Sequence, residues 1–171
     1  MEEQKTLAKD VAAADYNASD MPFDFVEEGE QTALICEADG SVREKIVAAM
    51  KATGYRTSEA ANARDALKKT RFHVYDVVVV NECFDADNPD ANDILVYYEA
   101  LPMTTRRRSF LVLLTDRYRS SDNMAAFNKS VNLVVNLKNI DDFTAIFKRA
   151  FADNTAFYHV FRETLKKMGK A

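Results

Sequence analysis

The sequence predicts an α/β fold in which a parallel sheet is covered by helices on both faces. Three observations carry that prediction. Segments of strand length recur at 32–39, 55–60, 77–80, 109–116 and 132–136, all but the second built around an apolar run. Each is followed by a stretch with helical periodicity, and Gly, Asn, Ser or Asp punctuates the junctions. Strict strand–helix alternation argues for parallel pairing through helical crossovers. The run Val77–Val80 is apolar on both sides, as expected of a strand with both faces buried.

Taken in order, residues 1–20 are rich in Ala, Asp and Glu without a sustained apolar period. They read as a mobile arm with a transient helix around Leu7–Ala13, and Phe23 and Phe25 are placed to pin its end to the domain surface. TALICEAD (32–39) is the first strand, and GSVREKIVAAMKATG the first helix of the domain. Ser41 and Glu44 have capping-box spacing, Val42, Ile46 and Met50 form an apolar stripe, and Gly54 closes the helix in the left-handed region. YRTSEA (55–60) is the second strand, and Asn62 caps a helix that ends near Arg71. Val77–Val80, four valines in succession, make the third strand. DILVYYEAL (93–101) is helical, SFLVLLTD (109–116) a strand, SSDNMAAFNKS (120–130) a short helix and NLVVN (132–136) the last strand. From Asp141 a helix carries Phe143, Ile146, Phe147 and Ala150. Five such units over residues 31–150 fit a flavodoxin-like doubly wound fold, strand order 2-1-3-4-5, between an acidic arm (1–30) and a helical extension (151–171).

Composition narrows the function classes. The chain has 171 residues, 47% apolar and 29% charged, with a net charge of −4. Residues 1–30 hold nine acids and two lysines, or −7, which leaves the rest at +3. Neither value matches a nucleic-acid-binding domain, which shows a strongly basic face. The apolar runs are far shorter than the roughly 18 residues of a membrane span. The acidic amino terminus lacks the apolar core of a signal peptide, and two cysteines fit a reducing cytoplasm. With glycine only at 29, 40, 54 and 169, neither a G-x-G-x-x-G nor a Walker phosphate loop is present.

In the predicted order, the carboxyl ends of strands one, three, four and five share one crevice. Those ends are Glu37 and Asp39, Asn81 and Glu82, Thr115 and Asp116, and Asn136 and Lys138. With ALICEADGSVRE, YDVVVVNE and FLVLLTD in this order and spacing, residues 31–150 resemble the receiver domains of response regulators. The resemblance implies an acidic pair holding Mg²⁺ after the first strand and a phosphoacceptor Asp after the third. It also implies Thr or Ser after the fourth strand, and Lys followed by Pro after the fifth.

Only Thr115 keeps that identity. Asn81 stands at the phosphoacceptor position, and its neutral amide cannot replace a carboxylate attacking phosphorus. Where the family has its acidic pair this chain has Glu37 and Ala38, and a methyl group ligates nothing. Asn136 falls on the Lys and Leu137 on the Pro, with Lys138 two residues on, and Leu133 stands where the family has its mobile aromatic. Nucleophile, metal set and lysine are lost together, so no phosphorelay chemistry, metal, cofactor or enzymatic activity is expected. Asn81 is either a relic or a group that bonds its neighbours without adding repulsion to Glu37 and Glu82.

Other groups carry weaker signals. Glu82, Asp85, Asp87 and Asp90 read as a solvated acidic loop, with Glu82 or Asp85 as an alternative relocated acceptor. Cys36 and Cys83 read as buried thiols, and His73 and His159 lack ligand spacing. Arg106, Arg107 and Arg108 read as an exposed loop at the opposite edge of the sheet. The extension carries Phe157, Tyr158, Phe161, Leu165 and Met168 at helical spacing, with a break expected at Asp153-Asn154. Its apolar face either packs on its own domain, forms a homodimer, or docks on a partner. No output domain is expected in the residues that remain. The expectation is a cytoplasmic, non-phosphorylatable, receiver-like adaptor or scaffold of bacterial two-component signalling, with protein partners and no nucleic acid or membrane. The alternatives are a receiver with a relocated acceptor and a small-molecule sensor using the crevice.

Overall fold

In the computed structural model, which describes residues 7–15, 17–23, 25–27 and 29–169, the valine run lies at the centre of a five-stranded parallel sheet. The strands are β1 (Gln31–Cys36), β2 (Tyr55–Glu59), β3 (Val77–Asn81), β4 (Phe110–Thr115) and β5 (Leu133–Asn136), in the order β2-β1-β3-β4-β5. β3 pairs with β1 on one side and β4 on the other, so its backbone is bonded on both edges. The doubly wound α/β architecture expected from the sequence is the one observed.

The helices are α1 (Leu7–Ala13), α2 (Gly40–Ala52), α3 (Ala63–Phe72), α4 (Asp93–Ala100), α5 (Met103–Arg106), α6 (Asn123–Asn128), α7 (Phe143–Phe157) and α8 (His159–Lys167). Alternate strand residues build two cores. Ala33, Ile35, Val77, Val79, Val112 and Leu114 face Ile46 and Met50 of α2 and Phe143 and Phe147 of α7. Leu34, Val78, Val80, Leu111 and Leu113 face α3, α4 and α6, with Ala66, Ile94 and Ala126 among the contacts. Among the described residues no helix is long and apolar enough to cross a membrane.

Several expectations need correction. α2 is capped by Asp39, whose carboxylate accepts from the Val42 N–H at 3.0 Å, and not by a Ser41/Glu44 box. Aspartate caps at least as well as serine, and the Asp39 N–H is itself fixed by Glu37 at 2.9 Å. Gly54 does close α2 at φ +91, where a side chain would be strained. The break expected at Asp153-Asn154 lies instead at Tyr158, so the border at 150/151 falls inside α7. Phe151 holds that stretch down, edge-on to Phe110 and Tyr55.

The arm expected to be mobile is partly docked. α1 packs on α3 and α4, with Val11 buried, and Arg71 donates to the carbonyls of Val11 and Ala14 at 3.0 and 2.8 Å. Phe23 pins the following segment against His73, Tyr75 and the Arg56 guanidinium, whereas Phe25 is exposed. Residues 1–6 lie outside the described residues.

α7 should therefore contribute to stability mainly through its middle turns. Phe147→Ala removes a buried ring and is expected to cost about 3–5 kcal/mol in urea unfolding. Phe157→Ala, at a ring that is 79% exposed, is expected to stay within about 0.5 kcal/mol of the natural chain. Equal costs would contradict the packing described.

Candidate functional site at the carboxyl ends of the strands

Register decides which polar groups meet. Cys36 pairs with Val80, so one step further along the strands sets Glu37 beside Asn81. Asn81 pairs with Leu114, so one step further sets Glu82 beside Thr115. Both glutamates are buried, Glu37 at 2% and Glu82 at 3% exposure. An unpaired carboxylate in such a place costs several kcal/mol, so each must be matched by donors.

Glu37 is matched by two neutral donors. Its Oε2 accepts from Asn81 Nδ2 at 2.7 Å and its Oε1 from the Asp39 N–H at 2.9 Å. The orientation of the Asn81 amide is fixed, because its Oδ1 accepts from the Cys83 N–H at 2.9 Å. A flipped amide would set oxygen against carboxylate and lose both bonds. Of the two readings of Asn81, the geometry fits the group that bonds its neighbours. Arg43 closes the rim, donating to the carbonyls of Glu37 and Ala38 at 3.1 and 3.3 Å, with its Nε 3.0 Å from Glu59. Ala38 itself is exposed.

Glu82 is matched by a cation and a hydroxyl. The Thr115 hydroxyl donates to Oε1 at 2.6 Å, and Arg117 donates to Oε2 through Nε at 3.0 Å and Nη2 at 2.7 Å. Thr115 Oγ1 also accepts from the Arg117 N–H at 2.9 Å, so its hydroxyl proton is committed to Glu82. Arg117 continues to Asp90, which Lys129 also contacts. The hydrogen bonds from Arg117 and Lys129 hold the Asp90 carboxyl well below the usual carboxylate range. The solvated acidic loop expected here is thus corrected at Glu82, which is buried, and at Asp85, whose carboxylate accepts from the Ala63 N–H at 2.9 Å.

Asn136 does not reach into the crevice. Its Nδ2 donates to the Tyr118 carbonyl at 2.7 Å, its Oδ1 accepts from the Lys138 N–H at 2.9 Å, and its N–H donates to Ser120 Oγ at 2.9 Å. It staples the loop after β4 to the end of β5. Lys138 is exposed, and Leu133 is buried in the sheet core.

The donor set does not fit Mg²⁺. A hard divalent cation needs several oxygen ligands, yet an amide NH₂ occupies the space beside Glu37, and Ala38 offers no side-chain oxygen. Among the described residues no group of three His, Cys, Asp or Glu side chains is placed to hold a metal. The two cysteines are free: burial pushes the Cys36 thiol up, while Cys83 is exposed and not buried as expected.

Sequence reasoning missed Arg117 and Asn92. Asn92 is buried, caps α4 through Oδ1, and donates from Nδ2 to the Glu82 and Phe84 carbonyls at 3.2 and 3.1 Å. Its position just before an apolar helical stretch marked the cap. Nothing in the sequence marked the reach of Arg117 to Glu82 across 35 positions.

The other candidate residues, Phe157, Tyr158, Phe161 and Leu165, lie at the opposite, amino-terminal edge of the sheet, beside Ser109 and Phe110 at the start of β4. Arg106, expected in an exposed loop, is buried there and donates to the carbonyls of Ser109 and Ser130 at 3.0 and 2.8 Å.

Two substitutions test the site. Asn81→Asp replaces the donor facing Glu37 with a second carboxylate and should destabilise by about 1–3 kcal/mol at neutral pH. A proton shared by the pair raises the folded-state pKa, so the loss should shrink as pH falls through that value. Millimolar Mg²⁺ should stabilise this variant and leave the natural chain unmoved; urea unfolding at two pH values with and without Mg²⁺ reads both effects. Arg117→Ala leaves Glu82 with the Thr115 hydroxyl alone. Its expected cost is about 2–3 kcal/mol by the same measurement, below that of a fully buried pair because the Arg117 side chain is 36% exposed.

Known structures share this architecture. Chemotaxis response regulator CheY4 of Vibrio cholerae superposes with a TM-score of 0.55 at 16% identity, covering 71% of this chain and 98% of that one. The signal receiver domain of a signal transduction histidine kinase from Syntrophus aciditrophicus gives 0.56 at 17% identity, covering 72% and 91%. A CheY-like receiver domain from Methylobacillus flagellatus gives 0.54 at 18% identity, covering 71% and 99%. No family model matches the sequence, and no curated protein matches it. At these identities the likeness establishes the fold alone: the chain has the same fold as these CheY-like domains.

Proposed function

We propose that the protein is a receiver-like signal-transduction module that works by binding protein and does not accept a phosphoryl group. It acts as an adaptor or scaffold in a cytoplasmic pathway of two-component type, without catalytic activity of its own. The observation that carries this reading is the 2.7 Å hydrogen bond from the Asn81 amide to Glu37. It joins two positions that a receiver links through Mg²⁺ and phosphate, so the crevice is closed by the chain's own groups.

The relocated-acceptor reading is less well supported. Glu82 is buried and engaged by Thr115 and Arg117, and Asp85 is engaged by the Ala63 N–H. A carboxylate whose lone pairs are taken by such donors is a weakened nucleophile.

Incubation with acetyl phosphate and Mg²⁺ should leave the intact mass unchanged. A stoichiometric phosphoryl adduct would overturn the reading, and peptide mapping would then locate the acceptor.

A further inference from the structure

The turn at Tyr158 sends α8 across the amino-terminal edge of the sheet, opposite the polar crevice. There it meets Arg107, whose guanidinium lies 4.5 Å over the Phe161 ring. α8 does not close against the domain. A groove of about 1430 Å³ remains between it, the segment around α5, and the start of β4. Phe161 and Leu165 on the wall formed by α8 are only half-buried. Large apolar side chains are exposed around this groove: Met103 at 60%, Phe127 at 78% and Phe157 at 79%. Exposed apolar side chains gathered at one groove mark a binding surface more often than a solvent-facing one.

The rim says what kind of partner fits. Arg107, Arg108, Arg162 and Lys166 line it, and Arg108, Arg162 and Lys166 are exposed. Arg108 and Arg162 have no side-chain hydrogen bond or ion pair among the described residues, and Lys166 sits 3.7 Å from Glu163. Two acids also line the groove. They are Asp76, which accepts from the Thr32 N–H at 2.7 Å, and Glu99, against the four cations of the rim. The balance is cationic around an apolar floor.

We propose that this groove docks an acidic segment of a partner protein that inserts two or three large apolar side chains between α8 and the start of β4. The proposal rests on the reading of the protein as an interaction module and names the surface and the chemistry of the partner. The volume exceeds the roughly 300–1,000 Å³ of a small-molecule site and suits an amphipathic segment laid along a helix. A two-fold pairing of this face with itself would set the cationic rim against its own copy, which like-charge repulsion opposes.

The test is a ¹⁵N-HSQC titration of the full chain with two synthetic amphipathic peptides of about 12 residues, roughly three helical turns. They share one apolar pattern and carry glutamates in one and lysines in the other. The acidic peptide is expected to shift resonances of Arg107, Phe157, Phe161 and Arg162 with a Kd below about 1 mM, and the basic peptide to bind at least ~10-fold more weakly. Raising salt from about 50 to about 300 mM should weaken the acidic complex. The exposed-site double variant Arg162→Glu, Lys166→Glu, with an unchanged circular dichroism spectrum, should reverse the preference. No shifts up to that concentration, shifts outside the groove, or equal response to both peptides would overturn the proposal. So would movement of groove resonances on dilution alone, which marks a second copy as the occupant. The same samples treated with acetyl phosphate and Mg²⁺ separate the two ideas. A phosphoryl adduct overturns the phosphorylation-independent reading and leaves the groove result standing, whereas absent shifts without an adduct overturn the groove alone.

Discussion

Two carboxylates carried out of water at the end of a parallel sheet impose the constraint that organises this molecule's polar chemistry. The strands that deliver Glu37 and Glu82 are buried on both faces, so neither side chain escapes to solvent. Burying an ion costs several kcal/mol, and a hydrogen bond to a charged group returns about 1.5–3 kcal/mol, so each carboxylate needs more than one donor. The chain supplies them by two routes. Glu37 takes an amide and a backbone N–H, whereas Glu82 takes a guanidinium and a hydroxyl. Both routes also fix the loops around them: Asp39, held by Glu37, starts α2, and Asn92, held by the backbone after β3, starts α4.

The result is a domain with two unlike ends. At the carboxyl edge the buried carboxylates and the amides beside them are satisfied by neighbouring groups. Thr115 holds Glu82, and Asn136 staples the loop after β4. At the amino edge the balance is reversed. Apolar side chains stay in water beside cations, and α8 is attached chiefly through the turn at Tyr158 and the stacking of Arg107 on Phe161.

The acidic arm is part of the same arrangement. Its docking on α3 uses backbone carbonyls as acceptors for Arg71 and a single buried valine, while Phe23 fills a gap beside His73 and Tyr75. Burial lowers the pKa of His73, packed against those aromatics, and the Asp76 carboxylate partly offsets this.

The sequence by itself determined the sheet, its strand order and the identity of the groups at its edge. Four successive valines admit little but a two-sided buried strand, and a strand–helix alternation admits few topologies. It also showed that the residue ending the third strand, Asn81, is an amide, since that is a matter of residue type alone. What it did not show depends on contacts between residues distant in the chain. Arg117 reaches Glu82 because neighbouring strands end in register, and periodicity carries no information about that reach. Asp39 displaced Ser41 as the cap because Glu37 already held its backbone. The charge of its neighbours predicts an exposed Arg106, yet the carbonyls of Ser109 and Ser130 make a buried guanidinium tolerable. The helical spacing of Phe157, Phe161 and Leu165 was visible in the chain, but only the turn at Tyr158 decided that they border a groove, because the direction of a helix after a break is set by what it packs against.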